Sequence, residues 1–349
     1  MTLKKHPFLY GLLVVLLIAF GITYSWTYTP HGRLDYRAAF SLHLLSFEIN
    51  YKPDPDIDFE FKLPVNLIYG LSGTLPKETV SKTEDITIPG DGVDIPARIY
   101  WPASTELSSA DTPLPIMVYY HGGGFVVGSV DIFDPLARQL SNVAHAIVIS
   151  VDYRLAPKYP YPAAVEDGYA ALQWAAQHAA ELNGDANRII VAGDSAGGNL
   201  AAVTAQKARD ENGPAIHAQI LYYPATDLTD THYPSKELFI DGYGLSTSAR
   251  NAFDTAYLGH VTDKTDPYVS PLYAAHLSSL PPALIVTAGF DPLRDDGQTY
   301  AKRLQSEGTV TTLKNYPTMI HGFMSIGLFS QQREALNATR EFLDQVVKL

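Results

Sequence analysis

The pattern of polar and apolar positions changes near residue 83. In "VDIPARIYW", Val93, Ile95, Ala97, Ile99 and Trp101 recur at every second position, the spacing of a half-buried strand. Further on, "PIMVYYH", "AIVISVDY", "RIIVAG", "AQILYYP" and "ALIVTAG" are short continuous apolar runs, as expected of strands covered on both faces. Amphipathic stretches separate them. Within residues 162–182, Val165, Tyr169, Leu172 and Ala176 share one helical face, and the closing "QQREALNATREFLDQVVKL" has the same character. This rhythm predicts an α/β fold with a mostly parallel sheet and helices on both sides. Residues 225–266 break it: they show no strand pattern and read as an insertion over the strand ends.

The start of the chain has a different texture. Residues 7–30 carry no full charge, and residues 8–22 are wholly apolar or glycine. A helix over residues 7–26 would reach roughly 30 Å, about the thickness of a membrane's hydrocarbon core. Lys4 and Lys5 precede it and Tyr24, Trp26 and Tyr28 follow it, which fits an anchor with the rest of the chain outside the cytoplasm. The competing readings are a cleaved secretory signal, for which Ala19 and Gly21 make a poor cleavage site, and a cap helix. Residues 31–80 mix helical spacing with a proline-rich break at 52–55 and are assigned to an N-terminal cap region. The expected division is therefore 1–30, anchor or signal; 31–80, cap; 81–349, catalytic domain, with the insertion at about 225–266.

Composition removes several classes of function. At 349 residues and 46% hydrophobic, the chain can bury a large core. A formal charge of −12 with no basic stripe argues against nucleic acid. Without cysteine, thiolate metal sites and a cysteine nucleophile are excluded. No H-E-x-x-H and no close histidine pair suggests a metal hydrolase, and no metal or other cofactor is expected.

Ligands of open α/β sheets bind beyond the carboxyl ends of the strands. After "RIIVA" comes "GDSAGGNLAAV", a G-x-S-x-G motif leading into a helical stretch. A serine on so sharp a turn crowds its neighbours, so Gly193 and Gly197 must be nearly free of side chain. The pattern alone also describes an ordinary turn; the strand, turn, helix context favours a nucleophile at Ser195. A serine hydroxyl needs a base, and the base a group to orient it. Asp291 follows "ALIVTAGF", and His321 lies after the next strand, in the chain order Ser, Asp, His of α/β-hydrolases. Asp295 and Asp296 can cap a helix beginning near Pro292, and Asp295 is the rival for the acid. The run "HGGGFVVGS" brings backbone N–H groups together without Cβ atoms, and Gly123 and Gly124, with Ala196 after the serine, are assigned as oxyanion donors. A tight turn is the plainer reading of "HGGG"; a dinucleotide fingerprint fails because Val127 stands where glycine is required.

Together with "YYHGGGFVVGS", "VDYRLAP", "YPAAVEDGYAAL", "DPLRDDG" and "HGF", these motifs resemble the hormone-sensitive-lipase-like family of α/β-hydrolase esterases, in the branch whose nucleophile motif reads G-D-S-A-G. The resemblance runs from about residue 80 to 349. It implies an eight-stranded α/β-hydrolase sheet, a cap from the N-terminal region and the insertion, and hydrolysis of small carboxylic esters with short to medium acyl chains. It makes Ser195 the nucleophile, His321 the base and acid, Asp291 its partner, and Gly123, Gly124 and Ala196 the oxyanion hole. Lys158 departs from the glutamate common after "DYRLAP", which touches local loop packing. An amidase or acyltransferase would use the same triad, and a ligand-binding member would lack the histidine that stands here as His321. Phe125, Tyr223 and Phe323 flank the motifs; core packing is the favoured reading, a pocket wall the other. Nothing in the sequence reports an oligomeric state.

Overall fold

The computed structural model describes residues 7–45, 74–103 and 113–347; the proline-rich break at 52–55 and much of the expected 31–80 cap lie outside them. Eight strands form one sheet: β1 (Lys82–Pro89), β2 (Asp94–Trp101), β3 (Leu114–Tyr120), β4 (Ile147–Val151), β5 (Gly184–Asp194), β6 (Ala218–Tyr222), β7 (Ala283–Phe290) and β8 (Thr311–Ile320). Their order across the sheet is β8-β7-β6-β5-β3-β4-β2-β1. From β8 to β4 all pairs are parallel; β2 is antiparallel to β4 and to β1. The α/β-hydrolase fold with a mostly parallel eight-stranded sheet is thus the observed one.

The continuous apolar runs become central strands because both faces are covered. Along β3, Ile116, Val118 and Tyr120 pack on one side with Ala164, Leu172 and Leu200, from helices α4 (Ala163–Gln177) and α5 (Ala196–Asp210). Met117 and Tyr119 pack on the other with Leu136, Leu140 and Leu336, from α3 (Val130–Ala144) and α9 (Ser330–Val346). Each aliphatic side chain so enclosed contributes about 1.5–3 kcal/mol. The period-two segment is a true edge-side strand: Ile95, Ala97 and Ile99 are buried on one face while Tyr100 is buried on the other.

The insertion has no strand, as its pattern foretells. It forms two helices, α6 (Pro234–Leu238) and α7 (Thr247–Leu258). The Ser246 hydroxyl caps α7 by accepting Ala249 N–H at 3.1 Å. Beyond it, α8 (Arg294–Ser306) returns the chain to the sheet between β7 and β8. Lys158 is exposed, its ammonium 5.1 Å from the centre of the Tyr159 ring, and the neighbouring turn is tied instead by Ala156 N–H donating to Phe125 O at 2.9 Å.

The expectation that residues 7–26 cross a membrane is corrected. Among the described residues no helix is long and apolar enough to do so. The first helix, α1 (Pro7–Ser25), stops before Trp26. The helix end docks onto α2 (Tyr36–Leu45): Thr23 Oγ1 meets Tyr36 Oη at 2.9 Å, and Trp26, just beyond the helix, stacks on His43 at 4.5 Å. The placement of a membrane-anchored chain outside the cytoplasm rested on that span and falls with it.

One polar tie holds the β4 exit to α4. Buried Asp167 accepts Arg154 N–H at 2.8 Å and Arg154 Nη2 at 2.7 Å. Asp167→Ala leaves the guanidinium and that amide without their acceptor and is expected to lower unfolding free energy by about 3 kcal/mol, measured by urea denaturation. An unchanged urea midpoint would contradict this account of the tie.

Candidate active site

Strand register places the turn that carries Ser195. Tyr120 at the end of β3 lies opposite Gly193 in β5, and Asp194 lies opposite Tyr222 in β6. Ser195 follows at φ 56° and ψ −118°, a strained backbone for a residue with a Cβ. A Cβ on Gly193 would stand 2.1 Å from Gly197 O, and one on Gly197 would stand 1.9 Å from Tyr120 O. The two flanking glycines are therefore required by space. Ser195 is also the N-cap of α5, so the positive end of that helix faces it.

The expected acid and base, Asp291 and His321, follow strands further along the sheet. Asp291 directly follows β7 and is fully buried. One of its oxygens, Oδ1, accepts Leu293 N–H at 2.8 Å; the other, Oδ2, lies 2.8 Å from His321 Nδ1. A register shift in β8 between Tyr316 and Ile320 sets Pro317 over Gly289, where a Cβ would meet Pro317 O at 2.1 Å, and delivers His321 past the strand end. His321 Nε2 lies 2.9 Å from Ser195 Oγ. An ionised carboxylate only accepts, so Nδ1–H donates to Asp291, which leaves Nε2 to accept the Ser195 hydroxyl. The Tyr223 ring, 4.8 Å from the imidazole, walls it on one side. Asp295 is elsewhere: it accepts Ser235 N–H at 2.8 Å and pairs with Arg294.

The three glycines of "HGGG" each answer a different demand. A Cβ on Gly122 would lie 2.5 Å from Asp194 Oδ2, one on Gly124 would lie 2.3 Å from the Phe253 ring of α7, and Gly123 has φ 123°. Two residues not singled out from the sequence hold this loop. Asp194 Oδ1 accepts Tyr119 O–H at 2.6 Å and Gly122 N–H at 2.9 Å. His121, packed between Phe133 and Tyr153, donates from Nδ1 to Gly122 O at 2.8 Å. Their signal was position, since both are polar residues within glycine motifs at the ends of buried strands.

Ser195, His321, Gly123, Gly124 and Ala196 border one cleft of about 530 Å³ whose walls are mostly apolar. Phe125 and Tyr223 are buried and also border it; Phe323 does not, and packs against Tyr223 and Tyr316. The insertion supplies the opposite wall, including Leu245, Arg250 and Phe253. Among the described residues no cluster of histidine and carboxylate side chains is arranged to hold a metal ion.

Burial leaves two carboxyl groups near the strand ends poorly solvated. Asp194 is pushed up to about 6 and Asp296 to about 8, in both cases first by desolvation. Asp296 accepts Thr226 N–H and Asp227 N–H, each at 3.2 Å. A carboxyl whose folded pKa lies above its unfolded value holds a proton that the unfolded chain has released, so stability falls as pH rises between the two. For Asp296 that window runs from about pH 4 to about 8. The urea midpoint is expected to drop from pH 5 to pH 8 in the wild type and to drop less in Asp296→Asn; equal slopes would count against this assignment.

Comparison with known proteins matches residues 117–325 to the alpha/beta hydrolase fold family. The chain is 47% identical over 252 residues to carboxylesterase NlhH of Mycobacterium tuberculosis, spanning 71% of this chain and 77% of that protein. It is 37% identical over 257 residues to ethyl acetate hydrolase of Pseudomonas putida, spanning 73% and 80% respectively. The hyperthermophilic esterase from Pyrobaculum calidifontis is similar in structure, with a TM-score of 0.74 at 41% identity over 81% of this chain and 90% of that one. A family match over more than half the chain, joined to relatives this similar over most of their length, shows that the chain belongs to the alpha/beta hydrolase fold family, in its hormone-sensitive-lipase-like branch, and is a hydrolase.

Proposed function

We propose that this carboxylesterase works by a Ser-His-Asp triad through an acyl-enzyme, on esters with short to medium acyl chains. The observation that carries the reading is the unbroken hydrogen-bonded line from Ser195 through His321 to Asp291, with spacings of 2.9 and 2.8 Å, at one end of a mostly apolar cleft. His321 takes the Ser195 proton as Oγ attacks the acyl carbon. It then passes that proton to the leaving alkoxide, and water repeats the cycle on the acyl-enzyme. Asp291 holds the imidazole in the tautomer that leaves Nε2 free to accept.

The N–H groups of Gly123, Gly124 and Ala196 are assigned to the tetrahedral oxyanion. Fixed donors aimed at developing charge need no reorganisation during the reaction, and the anchoring of Gly122 to Asp194 at 2.9 Å supports a rigid loop. In this reading residues 81–349 are the catalytic domain and residues 225–266 its cap. Relatives named as a carboxylesterase and an ethyl acetate hydrolase support the ester substrate and the shorter chain lengths.

The test is the initial rate of hydrolysis over a series of 4-nitrophenyl esters from acetyl to palmitoyl. Wild-type activity is expected to peak at the shorter chains and to vanish in Ser195→Ala. Asp291→Asn is expected to lower kcat by about 10⁴, whereas Asp295→Asn leaves the relay unbroken. Full activity in Ser195→Ala or Asp291→Asn would overturn the mechanism.

A further inference from the structure

Resting on the esterase reading, we propose that the cleft recognises a carboxylate on its ester substrate and that Arg250 is the residue that binds it. Arg250 stands on α7 in the wall facing the nucleophile's cleft. Its Nη2 donates to Thr247 Oγ1 at 3.0 Å, and its Nε is buried without an acceptor. Two other basic side chains bordering the cleft are engaged. Lys236 Nζ donates to the carbonyls of Thr229 and Thr231 at 3.2 and 3.3 Å, and His232 faces Glu237 at 3.2 Å. A guanidinium presents a planar fork of N–H donors that matches a carboxylate in two parallel hydrogen bonds. Here that fork lies in a mostly apolar wall.

The acidic residues around the cleft do not take this role among the described residues. Asp227 accepts Thr229 N–H and Tyr233 O–H at 2.9 Å each, and Asp230 faces Lys264 at 3.9 Å. Asp254, one turn further along α7, acts on Arg250 only through longer-range attraction, as do Asp291 and Asp241. Those attractions are outweighed: burial holds the guanidinium below its ordinary pKa. A ligand carboxylate would supply both the missing acceptor and the missing counter-charge. The substrate class is therefore esters with a free carboxylate within reach of the reacting carbonyl.

The experiment compares kcat/KM for two matched pairs. One is the 4-nitrophenyl half-ester of adipic acid against 4-nitrophenyl hexanoate, with the charge in the acyl part. The other is 4-carboxyphenyl butyrate against phenyl butyrate, with the charge in the alcohol part. The wild type is expected to favour the charged member of at least one pair by about tenfold, and Arg250→Gln to bring that ratio close to one. Arg250→Lys, which keeps the charge without the fork, is expected to fall between. Because each ratio is taken within one protein preparation, partial misfolding cancels. No preference in the wild type, or a preference that survives in Arg250→Gln, overturns the carboxylate subsite. Turnover of the neutral esters reports the serine-esterase reading by itself, so the two failures are distinguishable.

Discussion

At the turn after β5, the backbone of Gly197 lies against the end of β3 so closely that a Cβ would come within 1.9 Å of Tyr120 O. The rest of the site depends on this contact. It lets α5 start directly over the sheet, which holds Ser195 at a positive φ and raises its hydroxyl clear of the strands. The same Tyr120 is followed at once by the glycine loop, so Ser195 and the loop are fixed to one point of the sheet. Buried Asp194 closes the arrangement from the other side by accepting from both Tyr119 and Gly122. Strain at Ser195 is thus carried by backbone packing and a buried carboxyl, not by the reacting side chains.

The second half of the site is delivered by strands further along the sheet. Asp291 needs only to follow β7, because the Leu293 amide and the imidazole use both its oxygens. His321 needs the irregular end of β8, where the register shift carries the chain across Gly289. Opposite them the insertion contributes α7, whose Phe253 packs onto Gly124 and whose Arg250 turns into the cleft. Ser195, Asp291 and His321 therefore follow strands of the central sheet, while the facing wall of the cleft comes from the segment that breaks the strand-helix rhythm.

That division also explains what could be read from the chain alone. The sheet was legible because its central strands are buried on both faces and leave continuous apolar runs. Ser195, Asp291 and His321 were legible because each follows such a run and two lie in glycine motifs. The choice of Asp291 over Asp295 needed three dimensions, since both are acidic and only the first reaches the imidazole. Asp194 was missed because its partners are distant in the chain: it meets Gly122 across 72 positions and Tyr119 across 75. The apolar start of the chain misled, because its length was judged from composition, whereas the helix ends at Ser25 and Trp26 beyond it docks onto α2.

The most direct measurement is the intact mass of the protein after reaction with a 4-nitrophenyl alkylphosphonate, followed by peptide mapping. A strained serine relayed to His321 and Asp291 is expected to give one phosphonyl adduct per chain, on Ser195, with labelling strongly slowed in His321→Ala. An adduct on another residue, or none under conditions where esters are turned over, would contradict the account.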